Sequence, residues 1–308
     1  MSKDFLWVEK WRPAKISDCI LPDTLLKTFQ KIADNGELPN MLFSGTAGCG
    51  KTTVAKALCS ELNLDHIIIN ASEDGNIETL RGKIKQFASS VSLMGGYKVV
   101  ILDEADYLNA QSTQPALRGF IEEFSDNCRF ILTCNFKNRI IEPLHSRCSV
   151  YEFNTKKKAD LCSLFMTRLT TILDCENIKY NKDVLIQLIW KHAPDWRRVI
   201  NECQRYSIGG ILNSTAIMET SDYDSLFNHL KAKDFKKMRK WVVDNIDTDA
   251  SSIFRSLYDR MYDKTDNASI PQLVLILADY QFKASFVADT ELNVVACMTE
   301  IMASVSFK

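Results

Sequence analysis

No stretch of this chain approaches the ~18 consecutive apolar residues that a membrane span requires, so a membrane protein is not expected. Its start, Met1-Ser2-Lys3-Asp4, has no signal-peptide pattern, and a chain lacking both features is expected to stay in the cytoplasm where it is made. Its 10 cysteines are scattered, with no C-x-x-C and no Cys/His pair at zinc spacing. They read as reduced, mostly buried small hydrophobes. With 38 Lys+Arg against 39 Asp+Glu the formal charge is −1, which argues against a uniformly basic nucleic-acid coat. Any DNA binding has to come from local patches. Internal repeats and low-complexity tracts are absent.

What remains is an ordinary globular composition, 46% hydrophobic and 25% charged over 308 residues, long enough for two or three domains and a substantial core. Within it stands Gly45-Thr46-Ala47-Gly48-Cys49-Gly50-Lys51-Thr52, which matches G-x-x-x-x-G-K-[ST]. Successive backbone N–H groups of such a loop cradle nucleotide phosphates, the Lys neutralises them and the Thr hydroxyl ligates Mg²⁺. The flanks fit. Asn40 to Ser44 is a short apolar run of the buried-strand type, and Val54, Ala57, Leu58 and Leu62 recur at helical spacing. The order strand, glycine loop, helix turns a positive helix end toward the phosphates.

Further along, Val99-Val100-Ile101-Leu102-Asp103-Glu104 is an apolar strand finishing in two carboxylates. At the C-terminal end of a nucleotide-binding sheet, Asp103 can hold the Mg²⁺ shell, and Glu104 can orient or deprotonate an attacking water. His66 to Asn70, Phe130 to Asn135 and Val150 to Phe153 are further strand patterns, and Asn135 at a strand end can hydrogen-bond the γ-phosphate or the water. Between them lie helical patterns. Pro22-Asp23-Thr24 starts one helix. Ile77, Leu80, Ile84, Phe87, Ala88 and Val91 trace another, with Arg81, Lys83 and Lys85 on its opposite face; Leu117, Phe120, Ile121 and Phe124 trace a third, which carries Arg118. Alternating βα units of this kind predict a parallel, three-layer α/β domain of five strands over residues 1–154.

Beyond Phe153 the strand patterns stop. Lys156-Lys157-Lys158 reads as a solvated helix start, and apolar residues at helical spacing predict three helices within residues 155–218. The last of these is capped by Pro194-Asp195 and carries Arg197 and Arg198 in its first turn. Two cations there oppose the helix dipole unless an anion is near: a phosphate, Asp195 or Glu202. Gly209-Gly210 and Ser221-Asp222 bracket a loose join. Residues 219–308 are helical throughout in pattern, closing on the stripe Leu292, Val295, Met298, Ile301 and Met302, with no catalytic constellation.

Several signatures stand in order: Trp7-Val8-Glu9-Lys10-Trp11-Arg12-Pro13, Gly45 to Thr53, Asp103-Glu104-Ala105-Asp106, Leu117-Arg118, Thr133-Cys134-Asn135, Ser146-Arg147-Cys148 and Pro194-Asp195-Trp196-Arg197. Together they resemble the AAA+ ATPase subunits of sliding-clamp loaders, the replication-factor family. Cys19 to Pro22, Gly50 to Cys59 and Phe87-Ala88-Ser89 look most like the large subunits of T-even-type tailed-phage loaders. The motifs cover Phe5 to Arg205; past that point only length and all-helical character match the family's collar.

The resemblance implies an AAA+ P-loop domain, a helical lid and an all-α collar that oligomerises. It implies that Val8, Glu9, Lys10, Trp11, Arg12 and Ile20 serve the adenine end of an ATP site. Gly48, Cys49, Gly50, Lys51, Thr52 and Thr53 would hold the phosphates, with Thr52 and Asp103 serving Mg²⁺. Asp103 and Glu104 would be the catalytic acids, Asn135 the first sensor and Arg197 the second. Arg147 would be an arginine finger given in trans to a neighbour's site. The implied assembly is a hetero-pentamer of four such chains and one small subunit. It would load a sliding clamp on primer-template DNA, in the host cytoplasm if the chain is phage-encoded. Arg81, Lys83, Lys85 and Arg118 would meet DNA phosphates. The chain departs from the family at Thr46-Ala47, where many members are proline-rich, and at Asn76, where a basic residue often precedes the DNA-tracking helix.

Three other readings compete. Asp103 to Asp106 spells the DEAD-box helicase tetrad, but that class needs a second parallel-sheet domain and no strands follow Phe153. A branch-migration motor would share the phosphate loop but should end in a winged helix. A non-hydrolysing stator would lack Glu104 or Lys51, and both are present.

Overall fold

The computed structural model describes residues 5–73, 75–92, 95–153, 158–207, 209–212, 223–245, 250–262, 264–284 and 286–308. The chain divides into two compact units, Met1–Ser214 and Thr215–Lys308.

The first unit opens with one helical turn, α1 (Trp7–Lys10), and then α2 (Asp23–Asn35), which begins after Pro22 as the sequence predicts. A β/α alternation follows: β1 (Met41–Ser44), α3 (Lys51–Glu61), β2 (His66–Asn70), α4 (Ile77–Ser89), β3 (Lys98–Asp103), α5 (Thr113–Glu123), β4 (Cys128–Cys134), the short α6 (Glu142–His145) and β5 (Ser149–Glu152). The strands form one sheet in the order β2-β3-β4-β1-β5, and every pairing is parallel. The predicted five-stranded parallel sheet is therefore present.

The two-residue period of a strand divides its side chains between two helical layers. Leu42, Val100, Leu102, Phe130 and Leu132 pack with Leu80 and Ile84 of α4 and Leu117, Phe120 and Ile121 of α5. Their neighbours Met41, Phe43, Val99, Ile101 and Ile131 face the other way, onto Phe29 of α2 and Val54 and Leu58 of α3. Burying such side chains contributes roughly 1.5–3 kcal/mol each, so the central strands are pinned on both faces. β2 differs from the buried strand its Ile-rich run suggests: it lies at the sheet edge and Ile68 is exposed. Val91, expected on the buried face of α4, lies past the helix end at Ser89 and is exposed.

Three helices complete the unit, α7 (Lys158–Cys175), α8 (Lys182–His192) and α9 (Trp196–Tyr206). Phe165 of α7 stacks on Trp196 of α9 with ring centroids 4.6 Å apart. Asp195 caps α9, accepting from Arg198 N at 3.0 Å, as its position in the sequence predicts. Lys158 opens α7, whereas Lys156, Lys157 and the Ser221-Asp222 end of the predicted join lie outside the described residues.

The second unit is helical: α10 (Tyr223–Lys231), α11 (Phe235–Asn245), α12 (Ala250–Met261), α13 (Ile270–Lys283) and α14 (Thr290–Ser304). Its core gathers Trp241, Phe254, Leu257, Leu273 and Ile276 against α14. The buried stripe of α14 runs through Val294, Cys297, Met298, Ile301 and Met302. Leu292, assigned to that stripe from spacing, is exposed instead. It sits in the first turn, where its N–H donates to the Asp289 cap at 3.0 Å.

Candidate nucleotide site

β1, β3 and β4 are neighbours in the sheet and end side by side, which is where open α/β sheets bind ligands. The loop after β1 turns through Gly48 (φ +72°) and Gly50 (φ +99°), left-handed positions that favour glycine. At Gly48 there is also no room, because a Cβ would come 1.8 Å from Asp195 Oδ1. Gly50 opens α3 without a side-chain cap, so the first-turn N–H groups of that helix have no intrahelical partner and are suited to an anion. Lys51 is buried, and its Nζ donates to Gly45 O and Thr46 O at 2.8 Å and to Asn135 Oδ1 at 3.0 Å. Loop lysine and strand-end asparagine thus meet above a cleft of about 310 Å³.

The carboxylates stand beside them. Asp103 Oδ1 accepts from Thr52 Oγ1 at 2.7 Å and from Thr133 Oγ1 at 2.5 Å. Both hydroxyls use the same oxygen. Glu104 follows in the left-handed region (φ +58°, ψ +41°), a conformation that costs a non-glycine residue about 1–3 kcal/mol and needs support. Part of that support is its N–H, which donates to Thr133 Oγ1 at 3.1 Å. Asp106 is buried and accepts from the N–H groups of Asn135 and Phe136 at 3.3 and 3.2 Å, fixing the loop that carries Asn135. Sequence reasoning misses Thr133 and Asp106 as site residues. The Asp103–Asp106 spacing is visible in the chain, but the strand pairing that brings Thr133 to Asp103 is not.

The other end of the cleft is apolar and basic. Val8, Trp11, Arg12 and Ile20 line it, with Arg197 from α9. Arg12 donates to Thr53 Oγ1 at 3.2 Å and grips Glu9, and that bond holds the Glu9 carboxyl below the usual carboxylate range. Glu9 and Lys10 themselves do not line the cleft. Lys10 Nζ and the Trp11 indole N–H both donate to Glu176 at the end of α7, each at 2.7 Å. Arg168 lines the cleft too, and donates to Trp11 O at 2.7 Å and Asp18 O at 3.0 Å, closing the wall around Cys19 and Ile20. Nothing in the local sequence marks it, because its partners are backbone carbonyls about 150 residues earlier in the chain. Cys19 and Cys49 also face the cleft, and burial raises both thiol pKa values, Cys19 to about 12.

Comparisons with known proteins show the family. Residues 41–155 match the ATPase family associated with various cellular activities (AAA). The whole chain is 34% identical to the sliding-clamp-loader large subunit of Escherichia phage RB69, covering 100% of this chain and 98% of that protein. The chain belongs to the clamp-loader family of AAA+ ATPases. It is 33% identical to the sliding-clamp-loader large subunit of Enterobacteria phage T4, over 99% of this chain and 98% of that one. Replication factor C subunit 4 of Saccharomyces cerevisiae is 36% identical over 72% of this chain and 70% of its own length. Among solved structures, the Thermotoga maritima RuvB Holliday junction branch migration motor superposes with a TM-score of 0.52 at 17% identity. It covers 71% of this chain and 79% of that one, a likeness of fold alone.

The remaining candidate residues of this clamp-loader chain lie away from the cleft. Arg147 sits between α6 and β5 and does not line it. Its Nε donates to Glu122 Oε1 at 2.8 Å and its Nη1 to Pro143 O at 2.9 Å. Arg81, Lys83 and Lys85 are exposed on α4, and Arg118 is exposed on α5; the Arg81 guanidinium lies 5.6 Å from the Phe120 ring centroid. Asn76 caps α4, accepting from Glu78 N at 3.1 Å. Gln114, which no sequence signal marks, is fully buried. It donates to Leu108 O and Arg139 O at 3.0 Å and accepts from Ile141 N at 2.9 Å, so one amide joins the segment after Glu104 to the segment before Arg147.

Proposed function

We propose that this chain is the ATPase subunit of a sliding-clamp loader, binding and hydrolysing ATP to open the ring-shaped processivity clamp and place it on primer-template DNA. The observation that carries the reading is the convergence of Lys51, Thr52, Asp103 and Asn135 on one cleft, in a chain matched along its whole length by clamp-loader subunits.

The assignment of roles follows from chemistry. Lys51 and the α3 N-terminus neutralise phosphate charge, while the wall from Val8 to Ile20 takes the base. Arg197 lies over the cleft from α9 with its charge available to the nucleotide. Thr52 and Asp103 suit Mg²⁺, which supplies further charge neutralisation at the phosphates when bound. Among the described residues no group of three or more His, Cys, Asp or Glu side chains could hold a metal. That fits an ion held largely by phosphates and water. The Glu104 carboxylate is directed to the water that attacks the terminal phosphate, and Asn135 orients it. Arg147 is offered to the site of a neighbouring chain. In this reading residues 155–218 are a lid, residues 219–308 a collar, and four copies assemble with one small subunit in the cytoplasm, that of the host if the chain is phage-encoded. Arg81, Lys83, Lys85 and Arg118 face DNA phosphates.

The test is ATP turnover by the chain combined with its small partner subunit. Primed DNA plus clamp should stimulate it strongly; an unstimulated rate would defeat the proposal. The branch-migration reading is not favoured, since the relatives matched over the full length are clamp-loader subunits, and the stator reading is not favoured, since Lys51 and Glu104 are both present.

A further inference from the structure

Arg147 has five N–H donors, all fixed in one plane. Two of them, on Nε and Nη2, close on the same carboxylate oxygen, Glu122 Oε1. Nη1 turns back to Pro143 O at 2.9 Å, with Ser146 Oγ a longer 3.4 Å away. The side-on edge and the inner corner of the guanidinium are thereby occupied within the chain. With the side-on edge held by Glu122, the end-on fork carried by Nη1 and Nη2 is the one whose shape matches a pair of phosphate oxygens. The side chain is part-exposed at 27%.

Glu122 is well placed to set that direction. It lies in the last turn of α5, a helix whose Leu117, Phe120 and Ile121 are buried under the sheet, so its backbone is fixed independently of Arg147. The pair joins two segments 25 residues apart; with the Glu122 side chain 55% exposed its contribution is to orientation more than to stability. The bond from Arg147 also keeps the Glu122 carboxyl below the usual carboxylate range, so it is ionised at neutral pH. Arg118, one helical turn earlier, approaches the same oxygen only to 4.0 Å.

We propose that Glu122 is a positioning residue for the arginine finger: it holds the Nε/Nη2 edge of Arg147 so that the end-on fork is presented to the nucleotide of the adjoining chain. This rests on the reading that Arg147 acts in trans. Glu122 touches no nucleotide itself. Its effect is on the fraction of time the fork is aligned, so it belongs to turnover and not to binding.

The experiment is a double-mutant cycle in the assembled loader, with its small subunit, clamp and primed DNA present. Glu122→Ala should lower kcat by roughly 10-fold to 100-fold, the scale of a misplaced catalytic group, with the KM for ATP and the melting temperature unchanged. Glu122→Gln, which keeps an acceptor but not the charge, should fall between. Arg147→Ala should cost about 10³-fold, and Glu122→Ala added to it should cost nothing more. Additive losses would mean that Glu122 works elsewhere and would overturn the proposal, as would a Glu122→Ala enzyme at full rate beside a dead Arg147→Ala enzyme. A fully active Arg147→Ala enzyme would instead overturn the trans-finger reading beneath it.

Discussion

At the scale of single residues the cleft separates binding from chemistry. Lys51 and the N–H groups of α3 are the proposed phosphate holders, whereas the Glu104 carboxylate has no hydrogen-bond partner among the described residues and is held only by its own strained backbone. Glu104→Gln should therefore bind ATP close to normally while kcat falls by ~10² or more; equilibrium binding of a fluorescent ATP analogue and single-turnover hydrolysis separate the two. A second residue makes stability depend on pH. His192 is largely buried with Nε2 unpaired, and burial first, then Arg198 and Lys191, lowers its pKa to about 4. In the unfolded chain its pKa returns to ~6.5. The unfolded state then binds more protons between these values, so stability falls as pH drops from about 6.5 toward 4 and this contribution levels off below that. Melting His192→Gln beside the native protein at several pH values should give a shallower acid slope for the variant.

At the scale of elements, the strands and the phosphate loop are legible in sequence because their signals are local: continuous apolar runs, glycine spacing, an acidic strand end. Pro22 and Asp195 mark helix starts for the same reason. Edge position is not legible, since the Ile-rich run of β2 reads alike in the middle of a sheet or at its border. Nor are Arg168, Thr133 and Gln114, whose roles come from partners that only folding brings near. Gln114 shows what such a residue contributes. Gln114→Leu would leave two carbonyls and one N–H without their partner. Each missing buried bond costs about 1–3 kcal/mol, and each such loss should lower the Tm of a unit this size by roughly 2–12 °C. DNA-stimulated ATPase activity should fall as well, because the segments leading from Glu104 and toward Arg147 lose their common tie. Calorimetry and turnover assays check the two effects.

At the scale of the molecule, a net charge of −1 leaves little general attraction for DNA. Affinity has to be built from a few exposed cations repeated by assembly. Replacing Arg81, Lys83, Lys85 or Arg118 by Ala should weaken binding alike for all sequences and reduce the slope of log affinity against log salt by about 1 for each phosphate that the assembly no longer neutralises. A filter-binding series in salt measures this. The parallel sheet has one more consequence. Met41 of β1 pairs with Ser149 of β5, and Ser44 with Glu152, so Arg147 lies just before the strands begin and the cleft lies just after they end. At ~3.3 Å per residue these points are roughly 20 Å apart along the strands. If Arg147 acts in trans as proposed, the chain carries its donor at one end and its acceptor at the other, and so has a head and a tail. Under the proposed role of Arg147, copies joined through these ends would form a heterologous, directional row, whose last cleft would receive no finger from a copy of this chain.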